Sequence, residues 1–200
     1  MAEGTKELHL EEHIVKYLTK IAQPEFPEYT EKDNSCYDKD LCLIPEDLIG
    51  FIKESQPKKY DALCAQYGAN TDAKIVELVA DNINKSKLKT LQVLREKVKD
   101  RGQYLDLVYF KPSHSKTPEH MQGYLKNKLS IIRQLKYSKK NEKSIDIVLF
   151  VNGLPVVTME LKNALTGQYL HNAIKQYIED RDPKEPLLEF KRCLVHFAVS

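Results

Sequence analysis

Asp146, Glu160 and Lys162 are the residues whose types and spacing suggest chemistry. They fall on two apolar runs, IDIVLFV at 145–151 and PVVTMELK at 155–162, separated by Asn152, Gly153 and Leu154. Such runs, rich in β-branched residues and separated by a three-residue loop, read as a hairpin. A pairing centred on residue 153 sets Val151 opposite Pro155, Phe150 opposite Val156, and Asp146 opposite Glu160. Opposed residues on one face have Cβ atoms roughly 4.5–5.5 Å apart. Lys162, two residues past Glu160, points to the same face. Two like charges so close need compensation, and a hard divalent cation supplies it. Mg²⁺ takes oxygen ligands in near-octahedral geometry and keeps waters, so Asp146, Glu160 and the carbonyl of Leu161 would leave positions for a phosphate oxygen and a nucleophilic water. The Lys162 ammonium would orient that water or stabilise developing charge. The same three side chains would also make a plain ion-pair cluster at a hairpin end, and taken alone they leave both readings open.

The elements that must hold this hairpin are readable in outline. The far face of the two strands, with Ile145, Ile147, Leu149, Val151, Val157, Met159 and Leu161, is wholly apolar and needs a cover; Val148, Phe150 and Val156 belong to the near face. Leu8, Leu10, Ile14, Val15, Leu18 and Ile21 have helical spacing, so a core helix is expected over about 6–22. Residues 24–44, rich in Pro, Asp, Asn and Tyr, read as irregular. Pro45 and Pro57 open two short helices, and the helical period returns from Asp72 to about Lys99. A strand is predicted through Tyr104–Phe110, a loop over 111–118, a helix over 119–127 and a strand over Leu129–Tyr137. Thr166 can cap a helix with the stripe Leu170, Ala173, Ile174, Tyr177 and Ile178, and LVHFAV at 194–199 reads as a buried strand. The 200 residues are thus expected to form a single domain, in which the helix at about 6–22 and a core of sheet and helix over about 103–199 carry a helical and irregular insertion over about 24–99.

Asp146 followed fourteen residues later by Glu160-Leu161-Lys162 resembles the PD-(D/E)xK nuclease signature. The wider run SIDIVLFVNGLPVVTMELKNALTGQ resembles the nuclease motif of the motor and endonuclease subunit of type I restriction enzymes. The likeness extends to LHLEEHIVKYL, IPEDLIGFIKESQPKKYDAL, RQLKYS and LVHFAVS, so it covers most of the chain. It implies a three-layer α/β/α core with a mixed sheet, cleavage of double-stranded DNA with Mg²⁺ (Mn²⁺ expected to substitute), and no sequence preference of its own. It also implies assembly with modification and specificity subunits, and an ATP-driven translocase beyond the nuclease. No G-x-x-x-x-G-K-[ST] loop occurs, so the ATP-using motor is not in these 200 residues and the chain is expected to be part of a longer subunit. The family places a glutamine, and a tyrosine four residues on, after the second strand. The glutamine corresponds to Gln176, whereas position 180 is Asp and the tyrosine is Tyr177. The resemblance further implies a carboxylate from the first helix, Glu11 by spacing, with Glu12 the second choice.

Composition sets the remaining bounds. No apolar run approaches the roughly 20 residues of a membrane span, and the charged start MAEGTKELHLEEH is unlike a signal peptide, so a cytoplasmic protein is expected. Cys36, Cys42, Cys64 and Cys193 show neither zinc-ligand spacing nor a disulfide framework, and reduced, mostly buried thiols follow. The net charge of +2 hides an asymmetry: residues 1–82 carry 9 Lys/Arg against 17 Asp/Glu, and residues 83–200 carry 22 against 12. Lys126, Lys128, Arg133, Lys136, Lys139, Lys140 and Lys143 concentrate the excess and are the candidate contacts to a nucleic-acid backbone, or otherwise a solvated face. Two rival readings stand beside the nuclease. His9-Leu10-Glu11-Glu12-His13 matches the zinc-protease pattern H-x-x-E-H, and a DNA-binding module of the same fold with an inactive site would leave the same pattern.

Overall fold

The computed structural model describes residues 3–20, 26–113, 118–162 and 170–199. The first helix, α1, runs Glu3–Lys20. The stretch expected to be irregular contains a short strand, β1 (Tyr29–Lys32), which pairs in parallel with β4 (Leu129–Lys136) and so belongs to the main sheet. Its sequence, YTEK, is too short and too polar to announce a strand; the pairing partner creates it. Pro45 and Pro57 do open helices, α2 (Pro45–Ser55) and α3 (Pro57–Tyr67). The helical stretch from residue 72 divides into α4 (Thr71–Lys85) and α5 (Lys89–Arg95). The strand predicted over 104–110 shrinks to a two-strand ribbon, β2 (Val98–Asp100) with β3 (Gln103–Leu105), outside the main sheet. A short helix, α6 (Pro118–Leu125), leads into β4.

The candidate hairpin is present as β5 (Ser144–Val151) and β6 (Leu154–Leu161). After it come α7 (Leu170–Lys175), a π-helical turn (Gln176–Asp180) and β7 (Val195–Val199). Thr166 lies outside the described residues. The sheet order is β1-β4-β5-β6-β7, antiparallel in its centre and parallel at both edges, so the α/β class with a mixed sheet is observed. Two apolar clusters cover the sheet. One joins Val15 and the helices α2, α4 and α5 to Ile131, Ile147, Leu149 and Leu161; the other joins Tyr37, Cys42, Leu187 and Cys193 to Ile132, Val148 and Phe150. Ile145 joins the second cluster, not the side of Ile147 that strict alternation assigns. The strand changes sides at Asp146. The residues at 194–199 form an edge strand with Val195 and Phe197 exposed, and in the α7 stripe only Ala173 is buried, against an exposed Ile178. An apolar run reports the tendency to be covered and not the presence of a neighbour.

The loop of the hairpin differs from expectation. Val151 pairs with Leu154 and Phe150 with Pro155, so the turn is the dipeptide Asn152-Gly153, with φ of 49° and 81°. Asn-Gly is the pair that tolerates positive φ at both positions of a type I′ turn. The register then shifts, since Leu149 pairs with Val157 and Val156 is left over as a bulge. Val156 therefore packs with Leu149 and not with Phe150. The bulge restores the register that a three-residue loop would have given, and the ladder proceeds to Val148 opposite Thr158 and Ile147 opposite Met159.

The turn is clamped. Asn152 is fully buried; its amide donates to the Leu107 carbonyl at 2.9 Å and to Asn127 Oδ1 at 2.8 Å, and its Oδ1 accepts from the Lys128 N–H at 2.7 Å. Gly153 abuts the start of α2: its carbonyl accepts from the Ile44 N–H at 2.8 Å, and a Cβ built on it would stand 2.3 Å from the Ile44 carbonyl oxygen. Gly102 has the same φ of 81° with open space around it, so the pair separates crowding from backbone conformation. Gly102→Ala should cost about 1 kcal/mol for the left-handed conformation. Gly153→Ala should cost about 3 kcal/mol or more, since the α2 backbone must also move. Urea unfolding of both variants checks this, and equal losses would show that the turn does not press on α2.

Candidate active site

The β5–β6 ladder ends at Ile147 opposite Met159. One step further stand Asp146 and Glu160, where the two strands part and side chains take over the backbone's hydrogen bonding. Asp146 Oδ2 accepts from the Leu161 N–H at 2.7 Å, in the place of a ladder bond. In an extended strand the N–H and C=O of one residue share a flank, so the Leu161 carbonyl is turned toward the same gap. The next residue faces the other way: the Lys162 N–H donates to the Val199 carbonyl at 2.8 Å. The structure thus brings Asp146, Glu160 and the backbone of Leu161 together at a fork between strands, with the half-buried Lys162 just past the end of β6.

The two carboxylates differ in environment. Asp146 is half-buried, whereas Glu160 has no exposed surface. Burial pushes the Glu160 carboxyl up to about 7; Asp146 adds to the rise, and the Arg181 and Lys162 charges oppose it. Arg181, itself 7% exposed, grips a single oxygen of Glu160: Nε and Nη2 lie 2.9 and 2.5 Å from Oε1. Oε2 is buried with no hydrogen-bond partner. The guanidinium is held from behind by the Ser144 carbonyl, 2.6 Å from Nη2, and by the Tyr137 hydroxyl, 3.4 Å from Nη1.

On the other side of the fork a chain of side chains reaches α1. Gln134 sits in β4 with φ of 46°, between the pairs Arg133–Ile147 and Leu135–Ile145. A left-handed non-glycine residue costs about 1–2 kcal/mol. The twist turns the Gln134 amide so that it donates to Glu11 Oε2 at 2.6 Å and to Asp146 Oδ1 at 3.1 Å, while its oxygen accepts from the Ser144 hydroxyl at 2.9 Å. Glu11 is 3% exposed, and its other oxygen accepts from Arg133 Nε at 2.5 Å. Glu12 points to solvent beside His9.

The remaining predicted residues fall elsewhere. Gln176 opens the π-helical turn and is half-buried, but it is Tyr177 that reaches the sheet, its hydroxyl 2.7 Å from Thr158 Oγ1, which also meets His196 Nδ1 at 2.6 Å. Tyr177, Arg181 and His196 line an open cavity of about 310 Å³ behind Glu160. The basic segment is largely paired. Lys128 meets Glu54 at 2.7 Å, Arg133 meets Glu11 and Glu31, Lys136 meets Glu142 at 2.7 Å, and Lys139 meets Asp40; Lys140 lies 3.8 Å from Glu185, and Lys143 donates to the Asp180 carbonyl. Lys126 is exposed. Much of the acidic excess of residues 1–82 is spent on this segment. His9 and His13 lie on the exposed side of α1, and among the described residues no three His, Cys, Asp or Glu side chains gather as a metal cluster, so the zinc-protease pattern acquires no third ligand there. Two residues central to this geometry, Gln134 and Arg181, were not singled out by sequence reasoning; a polar residue inside a strand and an arginine just past an apolar helix were the available signals.

A model of the type I restriction enzyme R protein N terminus matches residues 45–199. No curated protein and no solved structure matches the chain. The matched span holds Asp146, Glu160, Lys162, Gln134 and Arg181, whereas Glu11 precedes it.

Removing one partner of a buried ionic network leaves the other uncompensated, at about 3–5 kcal/mol. Glu11→Ala should therefore destabilise the fold by about that amount, and Glu12→Ala, on the exposed face, by less than about 0.5 kcal/mol. Denaturant midpoints of the two variants decide; equal effects would mean that Glu11 is no part of the network.

Proposed function

The chain belongs to the family of type I restriction enzyme R protein N-termini, and we propose that it is the endonuclease part of such a subunit, hydrolysing DNA phosphodiesters with Mg²⁺ at Asp146, Glu160 and Lys162. The observation that carries this reading is the buried, unpartnered Oε2 of Glu160 beside Asp146 at the strand fork. A buried carboxylate oxygen without a donor is costly unless something else meets it. A hard cation does, so the residues present fit Mg²⁺, with Asp146, Glu160 and the Leu161 carbonyl as ligands and Mn²⁺ a workable substitute. The bound metal supplies polarisation of the scissile phosphate and a more acidic water.

The protein's own groups do the rest. Arg133 and Gln134 fix Glu11, and Gln134 fixes Asp146, so the exposed half of the site is held without the cation. Lys162 carries its charge at the mouth, where it offsets charge gathering on the phosphate and orients the attacking water. Gln176, at the start of the π-helical turn, is assigned to the DNA backbone or to Lys162. Apart from Arg133, which holds Glu11, the basic residues of segment 126–143 meet DNA by exchanging exposed carboxylate partners for phosphates, since exposed ion pairs are worth little. The finer context belongs to the same reading: double-stranded DNA as substrate, modification and specificity subunits as partners, coupling to an ATP-driven motor elsewhere in the subunit, and a cytoplasmic location. No helix among the described residues is long and apolar enough to cross a membrane.

Calorimetric titration with Mn²⁺ should show binding that is lost in Asp146→Ala and Glu160→Ala and kept in Lys162→Ala. Nicking of supercoiled plasmid should be slow, Mg²⁺-dependent and absent in all three. Metal binding without nicking in the native chain would instead favour an inactive DNA-binding module, and unchanged binding in both carboxylate variants would refute the site. Neutralising Lys136, Lys139 and Lys140 together should weaken DNA binding uniformly across sequences and flatten its salt dependence, because fewer counterions are released. A salt slope equal to that of the native chain would remove the segment from the DNA path.

A further inference from the structure

We propose that Arg181 is a positioning residue that selects which oxygen of Glu160 is presented to the metal, a role that rests on the reading of Asp146 and Glu160 as ligands. Arginine and a carboxylate usually meet fork to fork, each of two N–H groups taking its own oxygen. Here Nε and Nη2 both converge on Oε1, and Oε2 is left bare. Glu160 alone does not enforce that arrangement. The Ser144 carbonyl accepts from Nη2 at 2.6 Å, the Tyr137 hydroxyl stands 3.4 Å from Nη1, and the Tyr137 ring lies 5.6 Å beneath the guanidinium carbon. The guanidinium is pinned by groups other than its carboxylate partner, so it acts as a fixed jig.

Ser144 is shared between the two halves of the site. Its carbonyl holds Arg181, and its hydroxyl holds the Gln134 oxygen, whose amide reaches Asp146. One residue at the start of β5 therefore sets the orientation of both carboxylates. A carboxylate without this grip would be free to rotate about its last bond and share its oxygens differently, so that Oε2 is no longer the oxygen presented to the cation. Partners of this kind, one step removed from a metal, are typically worth about 10- to 100-fold in affinity.

The deciding variant is Arg181→Lys in the full chain, because it keeps the positive charge and removes the two-pronged grip. Mn²⁺ affinity, measured by calorimetry, should fall by about 10-fold or more, while circular dichroism and Mn²⁺-free urea unfolding report a folded protein. Tyr137→Phe should give a smaller loss in the same direction and decides the matter if Arg181→Lys does not fold. A folded Arg181→Lys protein with native affinity, or with tighter binding, would overturn the proposal; tighter binding would make Arg181 a competitor of the cation. So would unchanged affinity in Tyr137→Phe when the lysine variant is unfolded. A purely structural arginine predicts a lowered unfolding midpoint with unaltered affinity in the folded fraction, which also overturns it. Glu160→Gln separates the two levels of the argument. If the native chain binds Mn²⁺ and Glu160→Gln does not, an effect or its absence at Arg181 speaks to Arg181 alone. If the native chain does not bind Mn²⁺, the ligand assignment falls and this inference with it.

Discussion

The architecture around the site follows from keeping one carboxylate, Glu160, out of water. An ionised carboxylate in such a place is unfavourable by several kcal/mol unless it is paired, and the pairing has to be assembled from distant parts of the chain. Arg181 comes from beyond α7 and the π-helical turn, Tyr137 from the end of β4, and Ser144 from the start of β5. The wider π turn inserts one extra residue into the helical path, and π turns recur at functional sites. Here it lets Tyr177 reach Thr158 and lets Arg181 reach Glu160 within a few residues of one another.

The same constraint explains why the sheet is irregular where it is. Gln134 is left-handed, Asp146 replaces a ladder bond, and Ile145 changes faces, all within two neighbouring strands. Strain of this kind persists only where the surroundings over-determine it. The surroundings do so through regular packing elsewhere: the apolar clusters on both faces of the sheet, and the Asn152-Gly153 turn pressed against the start of α2. The conventional parts of the fold carry the cost of the unconventional ones.

Much of this was legible in the sequence, and the boundary is physical. The hairpin strands, the prolines that open α2 and α3, and the amphipathic first helix are local patterns, and the chain adopts them. Asp146 and Glu160 came together although the turn is one residue shorter than the sequence suggests, because the bulge at Val156 restores the register that a three-residue loop would give. β1 was not legible, because four residues, two of them charged, become a strand only through β4. Nor was the exposure of β7, since its apolar run says nothing about how many neighbours the strand acquires. Gln134 and Arg181 escaped for a related reason: each matters through partners between 10 and 123 residues away. The charge asymmetry between the two ends of the chain was correctly seen as a pattern, but its cross-pairing, as in Lys139 with Asp40 and Lys128 with Glu54, appears only in three dimensions.

The bulge at Val156 also settles a question of parity. In a hairpin closed by a two-residue turn, residues that face each other are always separated by an odd number of positions, whereas Asp146 and Glu160 are separated by an even one. An Asn-Gly turn and a facing pair of carboxylates are therefore incompatible in an unbroken ladder, and one supernumerary residue is the smallest repair. Val156 is that residue, and being apolar it is absorbed by the core next to Leu149. A chain that lost it would keep its turn, its carboxylates and the register that leads to them while becoming one residue shorter. The spacing between the two acids is thus free to change by one in step with this bulge, and a search that demands a fixed interval would miss sites built on the same geometry.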